Sequence, residues 1–88
     1  MYYVYLLHSK KDNRLYTGFT TDLRRRLAGH SMGTARSTRS RLPFQLIYYE
    51  AYMSQTDAKG REFRLKASQG ARAALKRRLQ YSLRGRLV

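Results

Sequence analysis

Residues 2–8 (YYVYLLH) and 14–19 (RLYTGF) are dense in aromatic and β-favouring residues, with only the turn-like stretch Ser9-Lys10-Lys11-Asp12-Asn13 between them. Two strand-forming runs this close together pair most readily as an antiparallel hairpin. If the loop is Ser9 to Asp12, His8 faces Asn13. Counting back, Tyr5 falls opposite Tyr16 and Tyr3 opposite Gly18. That register projects two tyrosines side by side from one face.

Downstream, Thr20 or Thr21 is expected to cap a helix running to about residue 31, with Asp22 in its first turn, where the helix dipole favours an anion. Residues 32–42 (MGTARSTRSRL) are small, polar and basic and read as a loop. Pro43 precedes a third strand at about 44–51. Ser54-Gln55-Thr56-Asp57 resembles a capping box opening a second helix to about 68. Gly70 is expected to break it, leaving a basic third helix at about 71–84. The order β-β-α-β-α-α predicts an α+β fold in which helices flank a small, three-stranded, mainly antiparallel sheet.

Eighty-eight residues suit a single domain, 1–88, with one modest core. There is no cysteine, so neither disulfides nor thiolate metal sites contribute and packing alone must stabilise the fold. No apolar run has the length of a membrane span, and no secretory signal opens the chain. A cytoplasmic protein without membrane contact is the expectation.

Charge narrows the function. Nineteen Lys and Arg against five Asp and Glu give +14. Such a field attracts polyanions, and the predominance of Arg suits phosphate oxygens. Nucleic acid is therefore the expected partner, DNA first and RNA as the alternative. Charge alone does not separate a nuclease from a non-catalytic binding module.

Helical geometry picks out candidate residues. With about 100° per residue, Leu23 and Leu27 define the inward face of the first helix. His30 falls on that face and Arg26 borders it, whereas Arg24 and Arg25 point away. The plainer reading pairs Asp22 with Arg26 across one turn. In the second helix Ala58, Glu62 and Leu65 share a stripe, which puts a carboxylate among apolar side chains. Such a carboxylate is normally paired or metal-bound; Arg26 is one candidate partner, and Glu50 is the rival carboxylate. A tyrosine acts as a base only if cations or a metal lower its phenol, and an Arg-lined pocket can do so.

These parts together resemble the GIY-YIG nuclease family. The run Tyr3-Val4-Tyr5, then Leu15-Tyr16-Thr17-Gly18, then Asp22-Leu23 with Arg26, Leu27 and His30 matches its signature in order and spacing. Leu42-Pro43-Phe44 leading to Leu46-Ile47-Tyr48-Tyr49-Glu50 resembles the family's third strand, and Ala58 with Arg61-Glu62 its metal-site helix. The likeness covers about residues 2–68. It is greatest to short stand-alone bacterial members, which are similar to the nuclease subunit of structure-specific resolving endonucleases. Tyr3, Val4 and Thr17 depart from the consensus Gly, Ile and Ile. Phe19 stands where excision-repair members carry Lys, and residues 69–88 hold no clear match to the late polar residue of some members.

The resemblance implies a metal-dependent endonuclease that hydrolyses DNA phosphodiester bonds, more selective for structure than sequence, with DNA repair as its setting. Its catalytic residues are Tyr5, Tyr16, Arg26 and His30. A water deprotonated by Tyr5, Tyr16 or His30 attacks phosphorus in line, and Arg26 neutralises the phosphoryl charge. A Mg²⁺ or Mn²⁺ on Glu62 stabilises the leaving oxygen, giving a 5′-phosphate and a 3′-hydroxyl. These five residues are expected to line one solvent-reachable pocket. Arg36, Arg39 and Arg41, with Arg72, Lys76 and Arg77, are the candidate backbone-binding residues. The alternatives are a binding module without catalysis and a nuclease subunit active only with a protein partner.

Overall fold

The aromatic runs form the hairpin that their spacing demands. In the computed structural model, which describes residues 1–31 and 42–85, β1 (Tyr2–Ser9) pairs antiparallel with β2 (Leu15–Thr20). On its other side β1 pairs antiparallel with β3 (Phe44–Tyr52), so the strand order is β2-β1-β3. The helices are α1 (Leu23–Ser31), α2 (Gln55–Ala67), α3 (Gln69–Arg78) and α4 (Gln80–Gly85). The architecture is α+β, with a three-stranded antiparallel sheet.

The hairpin register differs from the expected one by two residues. Tyr5 stands opposite Gly18, Leu7 opposite Tyr16, and Tyr3 opposite Thr20. Asn13 explains the longer loop: it adopts a left-handed backbone, φ 62°, which Asn tolerates better than most residues. The Ser9 N–H donates to the Arg14 carbonyl at 2.8 Å and the Asn13 N–H to the Ser9 carbonyl at 2.9 Å. Ser9 Oγ accepts the N–H groups of Lys11 and Asp12 inside the turn. The side-chain period of a strand is two, so this slip keeps Tyr5 and Tyr16 on one face, as diagonal neighbours.

Each sheet face has its own helices. Val4 and Leu6 pack with Ala58, Leu65, Leu75 and Leu79 in the main core, closed at its margin by Leu15, Phe19, Tyr48 and Tyr52. Burying each large aliphatic side chain there stabilises the fold by about 1.5–3 kcal/mol. The alternate residues, Tyr5 and Leu7 with Tyr16 and Phe44, point to the opposite face, where His30 of α1 meets them. Helix α1 begins later than expected, because the capping side chain is Asp22: its Oδ1 accepts the Arg25 N–H at 3.1 Å.

The C-terminal third corrects two expectations. Ser68, not Gly70, separates α2 from α3. Its extended backbone ends α2, and its side chain accepts the Ala71 N–H to start α3. Gly70 lies within the first turn of α3. The single helix expected at 71–84 is two helices, broken at Leu79, whose N–H is shared between the carbonyls of Leu75 and Lys76. A straight helix would carry the row Leu75, Leu79, Leu83 roughly 80° around its axis. The break keeps all three against the core. No described helix is long and apolar enough to cross a membrane.

Candidate active site

Strand β2 is an edge of the sheet, and Gly18 lies in the middle of it. A Cβ at Gly18 would overlap the ring and hydroxyl of Tyr5, so the glycine is the gap through which the Tyr5 ring lies across β2. The ring is 1% exposed and His30, reached from α1, is 2% exposed. Tyr5 Oη and His30 Nε2 are hydrogen-bonded at 2.9 Å. Tyr16 stands beside both, 6.4 Å from Tyr5 and 5.4 Å from His30 between ring centroids, and Phe44 closes the far side of His30.

Burial sets the protonation of this pair. It drives the Tyr5 phenol well above its ordinary value; Tyr16 pushes the same way, Arg26 pulls down, and Glu62 pushes up. The cations therefore do not bring Tyr5 down. His30 is held below its ordinary 6.5, first by burial and then by Arg26. At neutral pH the hydroxyl is protonated and the imidazole neutral, and in the tautomer with Nε2 as acceptor the phenol donates to it.

Arg26 and Glu62 are positioned from different faces. Arg26 is exposed on α1, and its guanidinium has no carboxylate partner among the described residues; neither the Asp22–Arg26 nor the Glu62–Arg26 pair forms. Helix α2 packs on the sheet face opposite Tyr5, so Glu62 does not share an inward face with His30. Glu62 and Tyr5 are nonetheless near enough for the carboxylate charge to act on the phenol. The elements thus bring Tyr5, Tyr16, His30 and Arg26 together on one side of the sheet, with Glu62 approaching from the other. Tyr5 and His30 are buried, Arg26 is exposed, and Tyr16 and Glu62 are partly exposed; the expectation that all five line one face does not hold, because α2 packs against Val4 and Leu6 on the other side of the sheet.

The carboxylates sort themselves by what they hold. Asp12 accepts the Arg14 N–H in the hairpin, Asp22 caps α1, and Asp57 lies in the first turn of α2. Glu50 is gripped by Arg61, with Nε at 3.0 and 3.1 Å and Nη2 at 3.0 Å from its oxygens. The hydroxyls of Tyr48 and Tyr52 also donate to it. Burial alone would raise Glu50; Arg61 and the two phenols outweigh it and hold the carboxyl below its ordinary value. The same environment, burial first and the Glu50 carboxylate next, pushes Tyr52 up to about 12. Glu50 is therefore committed to fastening α2 to β3. Among the described residues Glu62 has only lysines of its own helix, Lys66 at 2.9 Å and Lys59 at 3.9 Å.

Among the described residues no three His, Asp or Glu side chains gather. Glu62 would offer a cation one hard oxygen ligand, and Mg²⁺ accepts this when water and substrate phosphate complete its shell. Glu62 suits such an ion better than the saturated Glu50. Of the candidate backbone-binding residues, Arg36, Arg39 and Arg41 lie outside the described residues. Arg72 bonds the carbonyls of Leu65 and Lys66 at 3.0 and 2.7 Å through Nη1, so it also closes the end of α2. Lys76 and Arg77 are exposed on α3. The Gly18 clearance and the Glu50–Arg61 clasp were not evident from the sequence; turn chemistry at Asn13 is the signal that places Gly18 against Tyr5.

The chain is similar to known proteins along most of its length. A model described as the GIY-YIG catalytic domain matches residues 1–79. A UPF0213 protein of Staphylococcus haemolyticus is 42% identical over 66 residues, 74% of this chain and 79% of that protein. One from Streptococcus pyogenes serotype M5 is 49% identical over 61 residues, 68% of this chain and 65% of the streptococcal protein. The solution structure of the UPF0213 protein from Bacillus halodurans superposes with a TM-score of 0.55 at 40% identity, covering 85% of this chain and 82% of that one. With the family model matched through both strands of the hairpin and helices α1 to α3, this chain belongs to the GIY-YIG nuclease family.

Proposed function

We propose that the chain is a divalent-metal-dependent endonuclease that hydrolyses DNA phosphodiester bonds and selects its substrate by structure. The observation carrying this reading is the Tyr5–His30 hydrogen bond at the Gly18 gap, with Tyr16 set against both rings. A structural tyrosine–histidine pair has no use for a neighbouring guanidinium that, among the described residues, has no carboxylate partner.

The residues divide the reaction as follows. Water gives a proton to Tyr5 Oη as the phenol passes its own to His30 Nε2, so neutral His30 is the final acceptor and Tyr5 the relay. The resulting hydroxide attacks phosphorus in line, and the P–O3′ bond breaks with its electron pair leaving on oxygen, which solvent protonates. Arg26 neutralises charge gathering on the non-bridging oxygens. Tyr16 orients the attacking water at the solvent side of the pair. A Mg²⁺ or Mn²⁺ held by Glu62 supplies Lewis-acid stabilisation of the leaving oxygen when bound.

The test pairs two measurements on two variants, using duplex, single-stranded, flap and branched DNA, with RNA alongside. Glu62→Gln and Arg26→Ala are each expected to lower the cleavage rate by roughly 10²-fold or more, the size of losing one preorganised electrostatic group. Thermal melts are expected to stay within a degree or two of wild type, since neither side chain has a buried partner among the described residues. A depressed melt with cleavage intact at low temperature overturns the assignment. Binding without cleavage under any metal makes the chain a binding module, and cleavage only with added cell extract makes it a partner-dependent subunit.

A further inference from the structure

On the α2 side of β2 a cleft of about 240 Å³ runs between the strand edge and α3. Its walls include the buried side chains of Leu6, Leu65 and Leu75, and Thr17 contributes to it from β2. Arg14, Arg72 and Lys76 also line it. None of the three has a carboxylate partner among the described residues. Arg72 is held in place by the carbonyls of Leu65 and Lys66 through Nη1, so its direction is set before anything binds. An apolar slot with three cations and no anion calls for a ligand that is flat and apolar at one end and anionic at the other.

We propose that this cleft receives one unpaired nucleotide of the nucleic-acid substrate, with its base among the leucines and its phosphate among Arg14, Arg72 and Lys76. The inference rests on the nuclease reading and names the feature of the substrate that reading leaves open. Size supports it: the space is below the ~300–1,000 Å³ of drug-sized ligand sites, enough for one base and too small for a base pair. Position supports it as well. Thr17 lies between Tyr16 and Gly18, and alternate residues of a strand face opposite ways. The cleft and the Tyr5 centre are therefore back to back across the edge strand β2. A nucleic-acid strand that rounds that edge has its scissile phosphate on one side and a neighbouring nucleotide on the other. A fully paired duplex cannot round it without losing a pair, so the cleft makes an unpaired nucleotide near the cut a condition of tight binding.

Direct binding in EDTA tests this without cleavage. Three duplexes are compared at about 0.15 M salt: one with a single bulged nucleotide, the same one with that nucleotide abasic, and one fully paired. Wild type is expected to bind the base-bearing bulge about five-fold or more tighter than the abasic one. Thr17→Leu, which fills the slot, should bring the two within two-fold of each other. In parallel, deoxyadenosine monophosphate added to wild-type protein should shift the amide resonances of Leu15, Thr17, Leu75 and Lys76; this holds whether or not the variant folds. Equal binding of base-bearing and abasic bulges overturns the proposal. So does an acidic, leucine-containing peptide that shifts those amides where the mononucleotide does not. Loss of base discrimination with cleavage still dependent on Glu62 sinks the cleft alone, whereas discrimination intact with cleavage indifferent to Glu62 and Arg26 sinks the active-site assignment alone.

Discussion

A single missing side chain sets the geometry of the centre. Gly18 leaves room for the Tyr5 ring, and the ring is backed by His30, so there is little space into which it can retreat. Gly18→Ala is expected to destabilise the protein by roughly 1–3 kcal/mol through overpacking, several degrees of melting temperature for a domain this small, and to displace the Tyr5 hydroxyl enough to abolish cleavage. An alanine variant with wild-type melt and rate would mean the ring turns aside freely. His30 yields a pH prediction whose sign follows from its lowered value. Above about pH 6.5 the imidazole is neutral both folded and unfolded, and its burial carries no proton-linked penalty. As pH falls below that, the unfolded chain binds the proton first and stability is lost. Denaturation midpoints from pH 8 to 5 should therefore decline below about 6.5 in wild type and flatten in His30→Gln, which cannot titrate. Glu50 contributes loss only lower, below its ordinary 4.5, because its folded value is depressed. Matching pH profiles in wild type and His30→Gln would remove His30 from the account.

Between elements, one ion pair fastens and another is spare. Arg61 grips Glu50 from α2 to β3 with both partners mostly shielded, their side chains 25% and 15% exposed. Lys66 holds Glu62 across one helical turn from a half-exposed position, 52%. Arg61→Ala is expected to cost about 2 kcal/mol or more, since a shielded carboxylate loses a two-pronged charged bond. Lys66→Ala should cost no more than about 0.5 kcal/mol. Chemical denaturation of both decides the matter; a costly Lys66→Ala would make Glu62 structural. The same scale shows what a sequence reveals. Strand and helix positions are legible because aromatic runs and 3.6-residue stripes are local signals. The pairing of Tyr5 with Gly18 is not, because it depends on left-handed Asn13 and the Ser9 hydrogen bonds adding residues to the turn. Tyr5 and Tyr16 survive that shift together because it is even. A helical wheel marks Glu62 as inward without saying which sheet face is inward for α2, a question settled by Val4 and Leu6 far along the chain. The break at Leu79 is likewise tertiary, since nothing in the run ALKRRLQYSL is a helix breaker.

Across the whole molecule, charge dominates. All five carboxylates lie among the described residues. Three serve the hairpin turn or the starts of α1 and α2, and Glu50 is clasped by Arg61. With nineteen Lys and Arg in the chain, most cations can have no acidic partner. An excess this large repels itself and costs stability unless a polyanion neutralises it. Binding should then be led by counterion release, largely indifferent to sequence, with log affinity falling by about 0.9 per phosphate for each unit of log salt. Between ~50 and ~200 mM salt, two phosphate contacts give roughly a ten-fold loss and three about forty-fold. Lys76→Ala with Arg77→Ala should lower that slope by about one for each phosphate contact removed. The cleft acts differently: a base among leucines releases no ions, so the preference for a bulged over an abasic duplex should persist at about 200 mM salt while both affinities fall. A preference that vanishes in step with affinity would be electrostatic in origin, and the apolar slot would then contribute nothing to recognition.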